Sequence, residues 1–105
     1  GFHARNYADR KQIVWGNPQL TVSASEWLYK RGSKMHGVEG PSTDAPTNNI
    51  FAQHRYCRDK GITHFEWLVN LEATIGKGEF EFIGLPIKFK GGSGSPVRAV
   101  AVLDE

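Results

Sequence analysis

Near the C-terminus, a β-strand pattern is interrupted by a loop of glycine and serine and then resumes, in Gly84-Leu-Pro-Ile-Lys-Phe-Lys-Gly-Gly-Ser-Gly-Ser-Pro-Val-Arg98. Glycine tolerates positive φ and Pro96 cannot donate to a β-ladder, so we predict a break followed by a last strand at residues 97–102. Residues 80–83 alternate apolar and polar, as a strand does. These closing strands carry more apolar residues than two helices can cover, so we expect a further layer from elsewhere in the protein or from another subunit.

Two helices and two more strands are predicted upstream. Ser23 and Glu26 have the spacing of a capping box, and Gly32 is placed to end the helix that they begin. A second helix is predicted at about residues 49–60, with Gly61 as its stop. Strands are predicted at residues 35–38 and 62–71, and residues 1–18 are predicted to be mostly irregular. The predicted fold class is therefore α/β, a single domain with a mixed sheet and two main helices.

Size and composition limit the classes of protein to which the chain can belong. With 105 residues, 39% of them hydrophobic, it is long enough to fold as one domain. The 13 Lys and Arg and 11 Asp and Glu are scattered along the sequence, so no basic face for nucleic acid or for an anionic membrane is expected. The single cysteine, Cys57, is expected to be a buried thiol, and with no long apolar run a cytoplasmic protein is expected.

His54 and Glu66 are candidate metal ligands. They stand on either side of Gly61, so a helix and a strand can bring them together only through the turn at that glycine. Imidazole and carboxylate groups both bind zinc and manganese, but a catalytic zinc usually has three protein ligands. No HxxxH or HExxH spacing supplies a third. From these residues alone, a helix histidine near the core and a carboxylate at a strand edge are favoured over a metal site.

Five motifs occur in a fixed order along most of the chain: Ser23-Ala-Ser-Glu-Trp-Leu28, Gly40-Pro-Ser-Thr-Asp44, Phe51-Ala-Gln-His54, Glu66-Trp-Leu-Val-Asn-Leu71 and the tail at residues 82–102. Together they resemble the C-terminal half of the cyclase family of metal-dependent hydrolases, which includes kynurenine formamidases and isatin hydrolases. The resemblance implies the C-terminal part of a swivelling β/β/α-type domain. It also implies that His54 and Glu66 bind a divalent metal, zinc or manganese.

The resemblance further implies a reaction. A metal-activated water would hydrolyse the C–N or C–O bond of an amide, lactam or ester. His64 and Trp67, which flank Glu66, are candidate substrate-pocket residues. No residue of this chain is assigned as the catalytic proton carrier. One departure is Gly40, because the family often has threonine at this position, so the loop beside the site is expected to differ.

The family motif HxGTHxDxPxHF, which carries the other metal ligands and the proton-transfer histidine, does not occur in this sequence. We therefore expect a companion chain to supply that half, and a small molecule to be the substrate. The abrupt start at Gly1 fits cleavage of a precursor or a separately encoded subunit. A degenerate or truncated copy is the alternative. The family commonly forms dimers or tetramers, so an oligomer is expected.

A second class of function remains open, which is a non-catalytic binding or assembly module of the same fold. The two interpretations differ in what His54→Ala or Glu66→Gln would do in the assembled complex. The enzyme loses metal or turnover, whereas the module is unaffected. Nucleic-acid binding ranks third because the basic residues are dispersed. The sequence does not identify the substrate or decide between zinc and manganese.

Overall fold

In the computed structural model, residues 2–47 and 49–104 are described. They form short helices and strands, so the chain has the mixed content of the predicted α/β class. No helix in these two ranges combines the length and the apolar character needed to cross a membrane. The elements are, in chain order, α1 (Phe2–Asn6), α2 (Arg10–Trp15), α3 (Val22–Lys30), β1 (Met35–Gly37), α4 (Ala52–Lys60), β2 (Thr63–Phe65), a 3₁₀ helix (Leu71–Thr74), β3 (Glu81–Gly84) and β4 (Ala99–Val102).

The first compact unit, which ends at Asn70, is built around a parallel strand pair. Strands β1 and β2 run in the same direction, with His36 opposite His64. Parallel strands need a crossover connection, and here α4 and the loop before it supply one. The register places the two histidines side by side, which positions part of the candidate site.

Helices α3 and α4 pack together in this unit through a buried polar contact. The side-chain amide of Gln53 donates a hydrogen bond to the hydroxyl of Ser25, and both side chains are almost fully buried. Among the described residues the buried apolar side chains are Ile13, Cys57 and Ile62. Burial of Cys57 confirms the expectation of a buried thiol.

The start of α3 differs from the predicted capping box. Thr21 is the N-cap residue, because its extended backbone lets the hydroxyl accept a hydrogen bond from the amide of Ala24. Ser23 lies inside the helix and its hydroxyl contacts that of Thr21 at 2.9 Å. Glu26 does not reach back to the cap but pairs with Lys30 one turn later, at 2.9 Å. The chain thus becomes helical earlier than predicted.

The opening residues are helical, so the prediction of mostly irregular structure there was wrong. Asp9 caps α2 by accepting a hydrogen bond from the amide of Gln12 at 3.0 Å. The apolar side of this short helix is anchored by Ile13, which is buried. A tertiary contact therefore stabilises a helix that is too short to be stable alone.

Helix α4 begins at Ala52, about one turn later than predicted. Phe51 has a positive φ of 50°, which excludes it from a right-handed helix. The predicted stop is confirmed, since Gly61 takes the left-handed conformation with φ 64° and its amide bonds the last turn.

The second compact unit begins at Leu71 and contains an antiparallel strand pair. Strand β3 pairs with β4, with Glu81 opposite Val102 and Gly84 opposite Ala99. The predicted break between strands is confirmed, and β4 starts two residues later than predicted. Within the break, the hydroxyl of Ser95 accepts a hydrogen bond from the amide of Ile87 at 2.8 Å.

The described residues form two separate two-stranded sheets in place of one mixed sheet. A two-stranded sheet is at best marginally stable in water without further strands or a packed helix. In the second unit, large apolar side chains are exposed, including Leu85, Ile87 and Phe89. The assignment of both units to one domain stays a prediction.

Candidate metal centre

A carboxylate from the preceding loop caps the N-terminus of α4. Phe51, at the N-cap position, provides no side-chain hydrogen bond. Asp44 caps the helix in its place. Its Oδ1 accepts a hydrogen bond from the amide of Gln53 at 2.9 Å, and its Oδ2 accepts one from the amide of His54 at 3.0 Å. The Asp44 side chain is only 3% exposed. Two of the amides left without partners at the helix start are thereby satisfied.

The same carboxylate orients the ring of His54. Asp44 Oδ2 lies 2.6 Å from Nδ1 of His54. Burial alone would raise the pKa of Asp44, but hydrogen bonds from the His54 ring and from the amides of Gln53 and His54 outweigh it, so the pKa is lowered. An ionised carboxylate only accepts hydrogen bonds, so Nδ1 carries the proton and Nε2 of a neutral ring has a free lone pair.

The side chains of His54, His64 and Glu66 converge on one point. His64 lies on β2 and Glu66 follows two residues later, so their side chains leave an extended backbone on the same side. Oε1 of Glu66 lies 3.7 Å from Nε2 of His54 and 3.5 Å from Nε2 of His64. One ligand atom from each of the three residues lies within 4.8 Å of the other two. The structure thus brings together the two predicted ligands and one predicted pocket residue.

The spacing of these atoms favours a shared cation over hydrogen bonds. Both distances to Glu66 exceed the usual 2.7–3.2 Å of an N–H···O bond. Oε1 is buried and accepts no hydrogen bond from any described residue. Bonds of 2.0–2.2 Å in a tetrahedral centre separate neighbouring ligand atoms by about 3.3–3.6 Å, close to the two distances found. The donor set and its spacing therefore fit a divalent metal.

A tight turn after β2 positions Glu66. The strand predicted at residues 62–71 ends at Phe65, because Trp67 has φ 57° and leaves the extended conformation. The amide of Trp67 donates a hydrogen bond to the carbonyl of Gly40 at 2.9 Å. Positive φ in a bulky residue is strained, and such strain persists only where surrounding contacts enforce it. The turn therefore depends on the loop that contains Gly40.

Gly40 is required where it stands. A Cβ atom added to this buried residue would lie 1.6 Å from Oδ1 of Asn17. Asn17 is itself fixed, since its side-chain amide donates to the carbonyl of Ser42 at 2.8 Å. The side chain of Asn17 thus occupies the space that a larger residue at position 40, such as threonine, would need.

Aromatic rings surround the cluster. His36 stacks on His64 with centroids 5.8 Å apart, and the ring of His54 meets that of His64 edge-on at 4.7 Å. Phe51 contacts His54 edge-on at 5.8 Å. Burial, together with the neighbouring His64, lowers the pKa of His36, which is therefore neutral near pH 7. These contacts restrict the rotation of the rings of His54 and His64.

The substrate-pocket roles predicted for His64 and Trp67 stay predictions. Trp67 lies next to Glu66 and is half-exposed. A groove of about 200 Å³ borders Asp44 and Phe51, and neither His64 nor Trp67 lines it. The sequence interpretation gave Asp44 no role, although a carboxylate in the loop before a helix that lacks its own capping side chain was a usable signal.

Comparisons with known proteins add no family assignment. No protein-family model matches the chain, and no solved structure matches it significantly. The likeness to the cyclase family therefore rests on the ordered motifs of the sequence.

Proposed function

We propose that this chain is the metal-binding part of a hydrolase that cleaves amides, lactams or esters. One observation carries this proposal. Oε1 of Glu66 is buried, accepts no hydrogen bond from the described residues and faces Nε2 of both His54 and His64. The ordered motifs support a hydrolase of the cyclase type, and with it the C-terminal part of a swivelling β/β/α-type domain.

Each residue of the centre has a separate task in this proposal. A zinc or manganese ion held by His54 and Glu66 would supply activation of a water molecule and polarisation of the substrate carbonyl. Asp44 holds the proton on Nδ1 of His54 and keeps Nε2 available. The Asp44 and Trp67 contacts fix where the ligand atoms lie before substrate arrives.

We further propose that a companion chain with the HxGTHxDxPxHF-type half supplies additional ligands and the proton carrier. The two-stranded sheet of the second unit and the exposed apolar side chains of that unit support this, since such a sheet needs further strands or a packed helix for stability. The assembled protein would be a cytoplasmic oligomer acting on a small molecule. The scattered charges give no support for nucleic acid or membrane as a partner.

The rival function is a non-catalytic assembly module, and one observation favours it. Leu85, Ile87 and Phe89 are all exposed in the second unit, as expected of a surface that packs against another protein. Such a module needs no metal at His54.

The deciding experiment uses the protein purified with whatever accompanies it. Native mass spectrometry gives subunit composition and metal content, and a panel of amides, lactams and lactones gives turnover. His54→Ala and Glu66→Gln are expected to abolish turnover, while Asp59→Asn, at an exposed carboxylate paired with Arg58, is expected to preserve it. Turnover unchanged by His54→Ala would leave the assembly module as the better account.

A further inference from the structure

We propose that His64 is a third metal ligand, and that this chain therefore binds a divalent transition metal before any companion chain joins it. The inference deepens the proposed function and rests on the same site. With His54 and Glu66 alone, the 105-residue chain would supply only part of a metal centre. With His64 it would supply three protein ligands, which is the usual number for a catalytic zinc.

The position of His64 relative to Glu66 matches that of His54. Its Nε2 is 3.5 Å from Oε1 of Glu66, compared with 3.7 Å for His54. Both distances are near the roughly 3.3–3.6 Å that separates ligand atoms in a tetrahedral zinc centre. The three ligand atoms lie within 4.8 Å of one another, so one metal ion could engage all three side chains once they draw closer together.

The backbone that carries the three ligands is fixed within the first unit. His54 is held by Asp44 at the start of α4, and His64 lies in the parallel strand pair, opposite His36. Glu66 is held by the turn that bonds to Gly40. Since these contacts all lie in residues before Leu71, formation of the centre requires no other chain.

The donor set indicates which metals bind. Two imidazoles and one carboxylate suit zinc and cobalt(II), whereas magnesium and calcium prefer oxygen ligands. Manganese(II) binds such sites more weakly than cobalt or zinc in the usual order of affinities. The isolated chain is therefore expected to prefer zinc and cobalt over manganese.

The test is titration of the complete, metal-free 105-residue chain with Co²⁺, followed by visible absorption. We expect one Co²⁺ per chain, with the intense d–d bands of a four-coordinate centre, and displacement by Zn²⁺. His64→Phe keeps an aromatic ring against His36 but removes the ligand atom. Substitution of a residue that only supports a ligand typically weakens metal binding by about 10- to 100-fold. Loss of the ligand itself should therefore weaken Co²⁺ binding by more than about tenfold. Asp59→Asn, at an exposed carboxylate paired with Arg58, is the control and should retain affinity.

A second variant keeps the test decisive if His64→Phe fails to fold, which circular dichroism would reveal. His64→Cys should give a Co²⁺–thiolate charge-transfer band, which appears only if residue 64 is bonded to the metal. Buried Cys57 provides the background in the parent chain. Absence of Co²⁺ binding by the folded parent chain, unchanged affinity in a folded His64→Phe variant, or Co²⁺ bound by His64→Cys without the thiolate band would overturn the inference.

These outcomes separate the inference from the proposed function. Hydrolysis by the assembled complex, with no metal bound by the isolated chain, would overturn only the role of His64. Co²⁺ bound through residue 64, with no hydrolysis by the assembled and metal-loaded complex, would contradict only the hydrolase.

Discussion

Asp44 Oδ2 lies 2.6 Å from Nδ1 of His54, and the same carboxylate accepts hydrogen bonds from two amides at the start of α4. The orientation of a candidate ligand ring is thus coupled to the start of its own helix. A carboxylate behind a metal-binding histidine is a common outer-shell arrangement that fixes the tautomer and raises ligand basicity.

Asp44→Asn is expected to weaken metal binding 10- to 100-fold, the range typical of outer-shell substitutions. If the amide NH₂ faces the ring, Nδ1 becomes the acceptor and the proton moves to Nε2, where it blocks ligation. Competition with a chromophoric chelator measures affinity, and imidazole ¹⁵N shifts report the tautomer of His54. Asp59→Asn is the matched control. An unchanged tautomer and affinity in Asp44→Asn would show that the contact does not position the ring.

Asp44→Ala is expected to lower the free energy of unfolding by about 2–4 kcal/mol, because it leaves two helix amides and a ring N–H without their acceptor. Asp9→Ala removes a cap from the short and exposed α2, so we expect a smaller loss. Urea denaturation of both metal-free variants gives the comparison. If the two variants lost the same free energy of unfolding, the burial of Asp44 would add nothing to the stabilisation that an exposed cap such as Asp9 provides.

Gly40→Ala is expected to destabilise the fold by about 1–3 kcal/mol, since the new methyl group collides with the fixed side chain of Asn17. Displacing this loop should also disturb the Trp67 turn and reduce metal affinity. Gly94→Ala is the control, as its Cβ would meet no atom within 4 Å, and its effect should stay within about 0.5 kcal/mol. Thermal denaturation and metal titration measure both effects. A neutral Gly40→Ala would refute the close approach.

The thiol of Cys57 is expected to resist labelling in the folded protein at pH 8. Burial, and secondarily the negative charge of Asp44, raise its pKa. The unfolded chain loses this proton first, so the contribution to stability is complete below the unfolded pKa of about 8.5 and is lost as pH rises through the folded pKa. A chromogenic disulfide reagent with increasing urea should label Cys57 only as the protein unfolds, and Cys57→Ser gives the blank. Rapid labelling without urea would contradict burial.

Local signals in the sequence predicted local features correctly. Gly61 ends α4 because glycine adopts the left-handed conformation without strain, and the Pro96 segment separates two strands for equally local reasons. The expectation that His54 and Glu66 converge depended on a resemblance of ordered motifs to the cyclase family and not on any local signal. Geometry then placed their ligand atoms 3.7 Å apart.

The errors have a common cause, which is contact between residues distant in sequence. Asp44 caps a helix from ten positions before His54, so a search for a cap next to the helix misses it. The register of β1 and β2 places His36 beside His64, which no spacing within one segment indicates. Burial of Ile13 likewise stabilises a helix that local propensity does not predict.

X-ray absorption spectroscopy at the zinc edge, on the purified chain loaded with one equivalent of Zn²⁺, shows which atoms bind the metal. A centre formed by His54, His64 and Glu66 should give two imidazole nitrogens and one carboxylate oxygen at about 2.0–2.2 Å from the zinc, and His54→Ala should remove one imidazole. A first shell without imidazole, or a folded protein that binds no zinc, would contradict this centre.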